Sequence, residues 1–269
     1  MICFPNCKIN LGLSIVEKRS NGFHNIETVF YPLTFCDALE IQNTEGATSL
    51  YNYGVHIPGS SHDNLCLKAY HLLKRDHKIG SVEIHLLKNI PAGAGLGGGS
   101  SDATYTLLLL NDIFSLSLNN TQIKEYAKQL GSDCAFFIDN KPLFASGKGD
   151  CFETVQINLK GYYLVLIIPE VSVSTAEAYA GVKPLKKEKS IKEIIQLPVK
   201  EWKDHLINDF EKTVFEKHPE IQKIKEKLYT EGAVYAGMSG SGSAVYGIFD
   251  HDRDLKKMFP GCIVRCELL

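Results

Sequence analysis

The sequence predicts an α+β fold in two parts that meet near residue 153. Two stretches carry most of that expectation. Residues 7–15 alternate strictly, with Cys7, Ile9, Leu11, Leu13 and Ile15 apolar and Lys8, Asn10, Gly12 and Ser14 not, which is the period of a strand with one face in the core. Residues 91–103, PAGAGLGGGSSDA, place five glycines and two serines between a strand pattern and a helix pattern. The remainder mixes strand and helix signals with no internal repeat or low-complexity segment.

Taken in order, the first strand puts Lys8 and Asn10 on one face. The polar run from Glu17 closes on Asn21-Gly22, a turn dipeptide, so a hairpin returning through Phe23 to Phe35 is expected, although Ile26, Val29, Phe30 and Leu33 also fit helical spacing. Asp63 or Asn64 caps a helix that carries Leu65, Ala69, Leu72 and Leu73 and ends by Gly80. A strand with Val82, Ile84 and Leu86 inward runs into the glycine loop, where Ser100, Ser101 and Asp102 offer N-cap oxygens to the next helix. That helix buries Ala103, Leu107, Leu110 and Phe114. A further helix from near Thr121 stops at Gly131 and delivers Ser132-Asp133 to the apolar CAFFI. SGKGD at 146–150 reads as a hairpin, followed by a buried strand, GYYLVLIIP. Lysine-rich 183–189 is a surface connection, Ser190 and Glu193 form a capping box, and helices are expected over 199–217 and 219–229. GMSGSGSAVYGIF, a short helix at 251–259 and an alternating strand from Cys262 close the chain.

Composition narrows the function. With 29 basic and 31 acidic side chains, no global field recruits nucleic acid or anionic lipid, so an acidic ligand must be met locally. No apolar run approaches the roughly 20 residues of a membrane helix, and the start lacks the pattern of a signal peptide, so a cytoplasmic soluble protein is expected. The eight cysteines form no CxxC pair. Reduced thiols, mostly buried as small hydrophobes, are expected rather than a zinc site.

The glycine loop itself matches G-x-G-x-x-G through Gly93, Gly95 and Gly98, but no acid stands about 20 residues on to hold a ribose. No Gly-Lys-Ser/Thr follows, which excludes a P-loop, and the H-R-D and D-F-G elements of protein kinases are missing. What remains is a loop whose amides line an anion and whose serines reach phosphate oxygens or magnesium.

The loop resembles the signature of the GHMP small-molecule kinases, in the variant of the 4-diphosphocytidyl-2-C-methyl-D-erythritol kinases of non-mevalonate isoprenoid synthesis. NCKINLGLSI with NGFHNIETVF, DNLCLKAY, LGSDCAFF, PEVSVSTAEAY and MSGSGSAVYGIF agree with that branch in collinear order. The resemblance implies a two-domain GHMP kinase fold: residues 1–153 as an N-terminal domain of ribosomal-protein-S5-like type with the ATP phosphate loop, and 154–269 as a C-terminal α/β-sandwich domain. It implies phosphorylation of the 2-hydroxyl of 4-CDP-2-C-methyl-D-erythritol by ATP, with Lys8 and Asp133 catalytic. A carboxylate near a helix N-terminus and an ammonium suits the part of general base, while Lys8 positions it and stabilises developing charge.

For ATP the resemblance points to Asn64, Leu65 and Lys88 near adenine and to Pro91, Ala92, Gly93, Ala94, Gly95, Leu96, Gly97, Gly98, Gly99, Ser100 and Ser101 at the phosphates. For the acceptor it points to Asn10, to a cytosine sandwich of Phe23 and Tyr179 with His24 reading the base edge, to Thr175, and to Gly240 in the Gly237–Gly242 cluster. Many members carry Tyr where this chain has Phe23, so any phenol contact there is lost. No carboxylate pair is dedicated to magnesium. The ion is expected on ATP phosphates and waters, with Ser100 or Ser101 as candidate ligand. Small-molecule substrates, no nucleic acid, no membrane, and a monomer or weak homodimer complete the expectation. Kinases of homoserine, mevalonate or sugars lack need of the cytidine grip, an oxidoreductase lacks its ribose acid, and a non-catalytic regulator has no reason to keep both Lys8 and Asp133.

Overall fold

The computed structural model describes residues 1–60 and 63–269. Its first elements are β1 (Ile2–Cys3), β2 (Asn6–Lys18), β3 (His24–Cys36), β4 (Ala38–Asn43), β5 (Ser49–Gly54), α1 (Leu65–Asp76), β6 (Val82–Lys88), α2 (Gly98–Ile113), α3 (Asn120–Leu130) and α4 (Phe136–Asp139). There follow β7 (Leu143–Ser146), β8 (Cys151–Thr154), β9 (Tyr163–Ile168), α5 (Thr175–Tyr179), α6 (Ile191–Ile194), α7 (Trp202–His205), α8 (Phe210–Lys217) and α9 (Pro219–Thr230). The last three are β10 (Tyr235–Met238), β11 (Val245–Phe249) and β12 (Ile263–Leu268).

The chain divides into two compact units: Met1–Lys8, Pro32–Ala92 and Gly97–Lys141 form the first, and Ile9–Tyr31, Gly93–Leu96 and Pro142–Leu269 the second. The division read from the sequence, 1–153 and 154–269, is linear, whereas these units alternate along the chain. The reason lies in β2 and β3, each 13 residues long and each counted partly in one unit and partly in the other. A hydrophobic period of two names a strand without saying which core its residues join.

In the first unit a sheet of order β1-β4-β6-β5 accompanies α1 and α2. Its interior is built from Leu39, Ile41, Val82, Ile84 and Leu86 of the strands and Ala69, Tyr70, Leu73, Leu107 and Leu110 of the helices. Each such side chain stabilises the fold by about 2 kcal/mol on burial. In the second unit β10-β11-β9-β12 is an antiparallel sheet whose β9 and β11 are buried along nearly their whole length. Val165, Ile167, Val245 and Phe249 pack there with Val214, Ile221 and Leu228 of α8 and α9.

Several local expectations need correction. Strand β2 is buried on both faces from Cys7 to Ile15 rather than on one. Helix α1 ends at Asp76, where His77 N–H donates to Leu73, before Gly80 is reached. Helix α2 starts at Gly98 with Gly97 as its N-cap at φ 69°, so Ser100, Ser101 and Asp102 lie inside the helix and make no side-chain cap. The single helix expected over 199–217 is interrupted because Leu13 donates to Ile207 and Asp209 donates to Leu13, pairing residues 207–209 with β2. Residues 251–259 form no α-helix, only a 3-10 turn at Lys256–Met258. All eight cysteines are free thiols, but only Cys7, Cys66 and Cys134 are fully buried.

The capping box at Ser190 and Glu193 forms, as do the hairpin at 146–150 and the strand at His24–Cys36.

Candidate active site

The glycine loop separates glycines that the backbone requires from those that it does not. Gly93, Gly95 and Gly97 have φ of 71°, 75° and 69°, the left-handed region that side chains disfavour. Between them Ala94 and Leu96 are buried, and Ala244 N–H donates to the Ala94 carbonyl. Ser239 Oγ donates to the Gly95 carbonyl at 2.8 Å, so this stretch is held by the second unit's own bonds. Gly98 has no room for a side chain, since a Cβ would stand 2.8 Å from Ile90 Cγ2. Gly99 is different. It is exposed and helical, and a Cβ would meet only Leu65 Cδ1, at 3.7 Å. Nothing in the fold demands glycine there, and the absence of a side chain leaves open space beside the α2 N-terminus.

Pro91 is half-buried and Ala92 exposed at the loop's entry. Ser100 is half-buried, while Ser101 is fully buried with an Oγ that lacks a hydrogen-bond partner. Asn64 caps α1 by accepting from Cys66 N–H at 2.8 Å, which settles the cap in favour of Asn64, and Leu65 starts that helix.

Lys8 and Asp133 come together in the first unit. Lys8 Nζ stands 3.3 Å from Asp133 Oδ2, with the lysine 3% exposed and the aspartate side chain 32%. Gly97 lies against this lysine, where a Cβ would be 3.1 Å from Lys8 Cε and from Phe137 Cζ. Asp133 occupies the turn between α3 and α4, and Thr104 Oγ1 donates to the carbonyl of the next residue, Cys134, at 2.7 Å. The arrangement is a carboxylate open to solvent on one side and paired on the other with a cation that has little water.

Lys88 is buried at the end of β6. Its side chain is 4% exposed, and its ammonium bonds Asp102 Oδ2 at 2.7 Å and also Asp37. Asp37 accepts further bonds from the N–H groups of Asn89 and Ile90, at 2.6 and 2.9 Å. The bonds to Asp102 and Asp37 hold Lys88 Nζ inside the unit. Two carboxylates face one ammonium, and burial pushes Asp102 up to about 7, with Lys88 opposing the shift and Asp37 adding to it. Asp37 was not among the residues expected at the site. Its signal was faint, a lone acid between two strands.

On the acceptor side, within the second unit, His24 stacks on Tyr179 with ring centroids 4.7 Å apart and planes 23° apart. Tyr179 also meets Phe210 edge-on at 4.8 Å. Desolvation, with the charge of Lys18, holds the His24 pKa below its ordinary value, so the ring is neutral near pH 7, with one donor and one acceptor nitrogen. Phe23 is 58% exposed with the Lys148 ammonium 5.3 Å from its ring centroid. Thr175 begins α5, its Oγ1 3.4 Å from Ser241 Oγ.

Asn10 is turned inward: it is 2% exposed, its Nδ2 donates to Thr28 Oγ1 at 3.0 Å and its N–H to Ser239 Oγ at 3.1 Å. This inward setting follows from burial on both faces of β2. Gly240 is likewise buried, at φ 55°, and accepts from Asn208 Nδ2 at 2.8 Å, which makes it part of the floor rather than an exposed contact. Ser239 and Asn208, which hold this floor together, were not anticipated.

Within the first unit, a glycine-built helix start beside a lysine–aspartate pair is suited to phosphoryl transfer. The GHMP kinases N terminal domain model matches residues 64–141 and the GHMP kinases C terminal model matches 190–259. A 4-diphosphocytidyl-2-C-methyl-D-erythritol kinase of Bacteroides thetaiotaomicron is 55% identical over 99% of this chain and 98% of its own. A crystal structure of 4-(cytidine 5'-diphospho)-2C-methyl-D-erythritol kinase superposes with a TM-score of 0.78 at 29% identity, covering 92% of this chain and 90% of that one. The mevalonate kinase of Methanococcus jannaschii, at TM-score 0.72 and 15% identity over 100% of this chain and 98% of its own, shares the fold. The chain belongs to the 4-diphosphocytidyl-2-C-methyl-D-erythritol kinase family of the GHMP kinases.

Proposed function

We propose that this chain transfers the γ-phosphoryl group of ATP to the 2-hydroxyl of 4-CDP-2-C-methyl-D-erythritol, giving the 2-phosphate and ADP in non-mevalonate isoprenoid precursor synthesis. The relatives whose names carry that activity span nearly the whole chain. The observation that carries the residue assignment is the Lys8–Asp133 pair at 3.3 Å, packed against Gly97 of the phosphate loop.

Asp133 accepts the proton of the 2-hydroxyl as that oxygen bonds to the γ-phosphorus. The bond from the γ-phosphorus to the β,γ-bridging oxygen breaks, ADP departs, and Asp133, open to solvent on one side, returns the proton to water. Lys8 holds the carboxylate in place and stabilises the charge gathering on the transferred group. Backbone N–H groups between Ala92 and Ser100, at the α2 N-terminus, meet the donor phosphates, with Gly99 leaving room for them.

Magnesium on ATP neutralises phosphate charge. The unpartnered Ser101 Oγ, with Ser100 beside it, is the side chain that fits this ion. Asn64 and Leu65 bound the adenine side.

For the acceptor, Phe23 and Tyr179 offer two aromatic faces to cytosine, and neutral His24 offers complementary hydrogen bonds to the base edge. His24 now covers one face of Tyr179, so a base held between Phe23 and Tyr179 displaces His24 toward its own edge or uses the opposite face of Tyr179. Thr175 adds a polar contact. Among the described residues no helix is long and apolar enough to cross a membrane.

The deciding experiment follows ADP release from ATP and magnesium with the CDP-linked methylerythritol, or with homoserine, mevalonate or galactose instead. Turnover is expected with the first alone. Turnover with homoserine and none with the cytidine compound would refute the acceptor assignment.

A further inference from the structure

Asp133 lies on a turn, a poor platform for a residue that must meet a hydroxyl in line with phosphorus. The turn is fastened on its C-terminal side. One residue after Asp133, the Cys134 carbonyl accepts from Thr104 Oγ1 at 2.7 Å, and the same hydroxyl lies 2.9 Å from the Ser100 carbonyl. Downstream, α4 runs directly into Asn140, its C-cap, at φ 44°. There Asn140 and Asn6 exchange amide hydrogen bonds in both directions: Asn6 Nδ2 donates to Asn140 Oδ1 at 3.1 Å, and Asn140 Nδ2 donates to Asn6 Oδ1 at 2.9 Å. The Tyr105 hydroxyl closes the group, donating to Asn6 Oδ1 and accepting from Asn140 Nδ2, both at 3.2 Å. Asn6 also donates to the Leu33 carbonyl of β3 at 3.1 Å, and it stands two residues before Lys8 on β2.

A reciprocal amide pair couples two backbones more tightly than one hydrogen bond, because turning either side chain breaks two bonds at once and leaves partly buried polar atoms unmatched. It is also neutral. It fixes geometry near an ion pair without altering the charges of that pair. One partner is rooted on the strand of Lys8 and the other on the segment of Asp133.

We propose that the Asn6–Asn140 amide pair, closed by Tyr105, is a positioning clamp that sets the placement of Asp133 relative to Lys8. None of the three residues touches either substrate in this account. The inference rests on the assignment of Lys8 and Asp133 as the catalytic pair, and it adds the residues that keep them in register.

The test uses the full chain with Asn6→Ala, Asn140→Gly and the double variant, each made with Asp133 intact and with Asp133→Asn. Glycine suits the positive φ at 140, so the backbone there survives the change. Small displacements of reacting groups cost one to two orders of magnitude in rate. With Asp133 intact, kcat is therefore expected to fall about tenfold in either single variant, with KM for ATP and for the acceptor within about twofold. The double variant should lie within about twofold of the singles, because both remove the same clamp. With Asp133→Asn, the same substitutions should change the residual rate by less than about twofold. Tyr105→Phe removes one hydroxyl and should lower kcat about threefold, which keeps the proposal open to refutation if a larger change unfolds the protein.

A lower melting temperature with unchanged kcat would reduce the pair to packing and overturn the clamp. So would an equal tenfold loss in the Asp133→Asn background. Near-normal turnover of Asp133→Asn by itself would remove the catalytic assignment, and the clamp with it, whereas loss of turnover in Asp133→Asn beside fully active asparagine variants would remove the clamp alone.

Discussion

Two lysines of the first unit are almost equally hidden, and their surroundings part their roles. Lys8 is 3% exposed and Lys88 4%. Lys8 has an aspartate 3.3 Å away that keeps a third of its side chain in solvent. Lys88 touches two aspartates that are themselves almost completely enclosed. An ammonium facing a carboxylate that still reaches water can share it with an incoming hydroxyl, while one held between two enclosed carboxylates is tied into the interior. Burial of the lysine is the same in both places. Burial of the partner is what separates a working pair from a structural one.

The comparison breaks first at Asp133. Asp133→Asn is expected to lower kcat by at least about 100-fold, with ATP affinity nearly unchanged, because only the proton acceptor is lost. Steady-state kinetics beside nucleotide titration checks this, and Lys8→Ala should behave alike. The opposite pattern is expected at Lys88. Lys88→Met strands two buried carboxylates and should cost about 3 kcal/mol or more in urea unfolding at pH 8. Unimpaired stability there would mean that Lys88 is not a structural cation.

A finer test is pH. Asp102 has its folded pKa pushed up to about 7, above its unfolded value, so the folded state holds a proton that the unfolded state has released. The contribution of this group is therefore fully present below about pH 4, declines as pH rises toward 7, and is constant above. Asp102→Asn should remove that slope, and a wild-type slope surviving in the variant would assign it elsewhere. The smallest effect serves as a control in the second unit. His24→Ala should raise the acceptor KM about tenfold and leave the ATP KM alone, since it removes base contacts and no part of the lysine pairs. An unchanged acceptor KM would refute its base-reading part.

Much of this was legible in the sequence. The alternation at 7–15, the capping signals at Asn64 and at Ser190-x-x-Glu193, and the run of glycines each translate into backbone by local rules, and each formed. Lys88 also carried the signal of its burial. In β6 it has the parity of Val82, Ile84 and Leu86, all buried, so period two already pointed it inward. Asn10 could not be placed the same way, because alternation says which residues share a face and not whether that face is later covered. Asp37 was beyond reach: its partners lie 51 and 53 residues along the chain, on Lys88 and Ile90, and no local pattern encodes that distance.

The alternating left-handed glycines have a thermodynamic consequence for the nucleotide. Gly93, Gly95 and Gly97 are extremely free in an unfolded chain, yet Ala94 and Leu96 are buried between them and Ser239 and Ala244 grip the neighbouring carbonyls. The entropy of ordering this stretch is therefore lost when the protein folds, not when ATP binds. For the proposed donor role, a loop ordered in advance would take phosphates with little further loss of chain freedom.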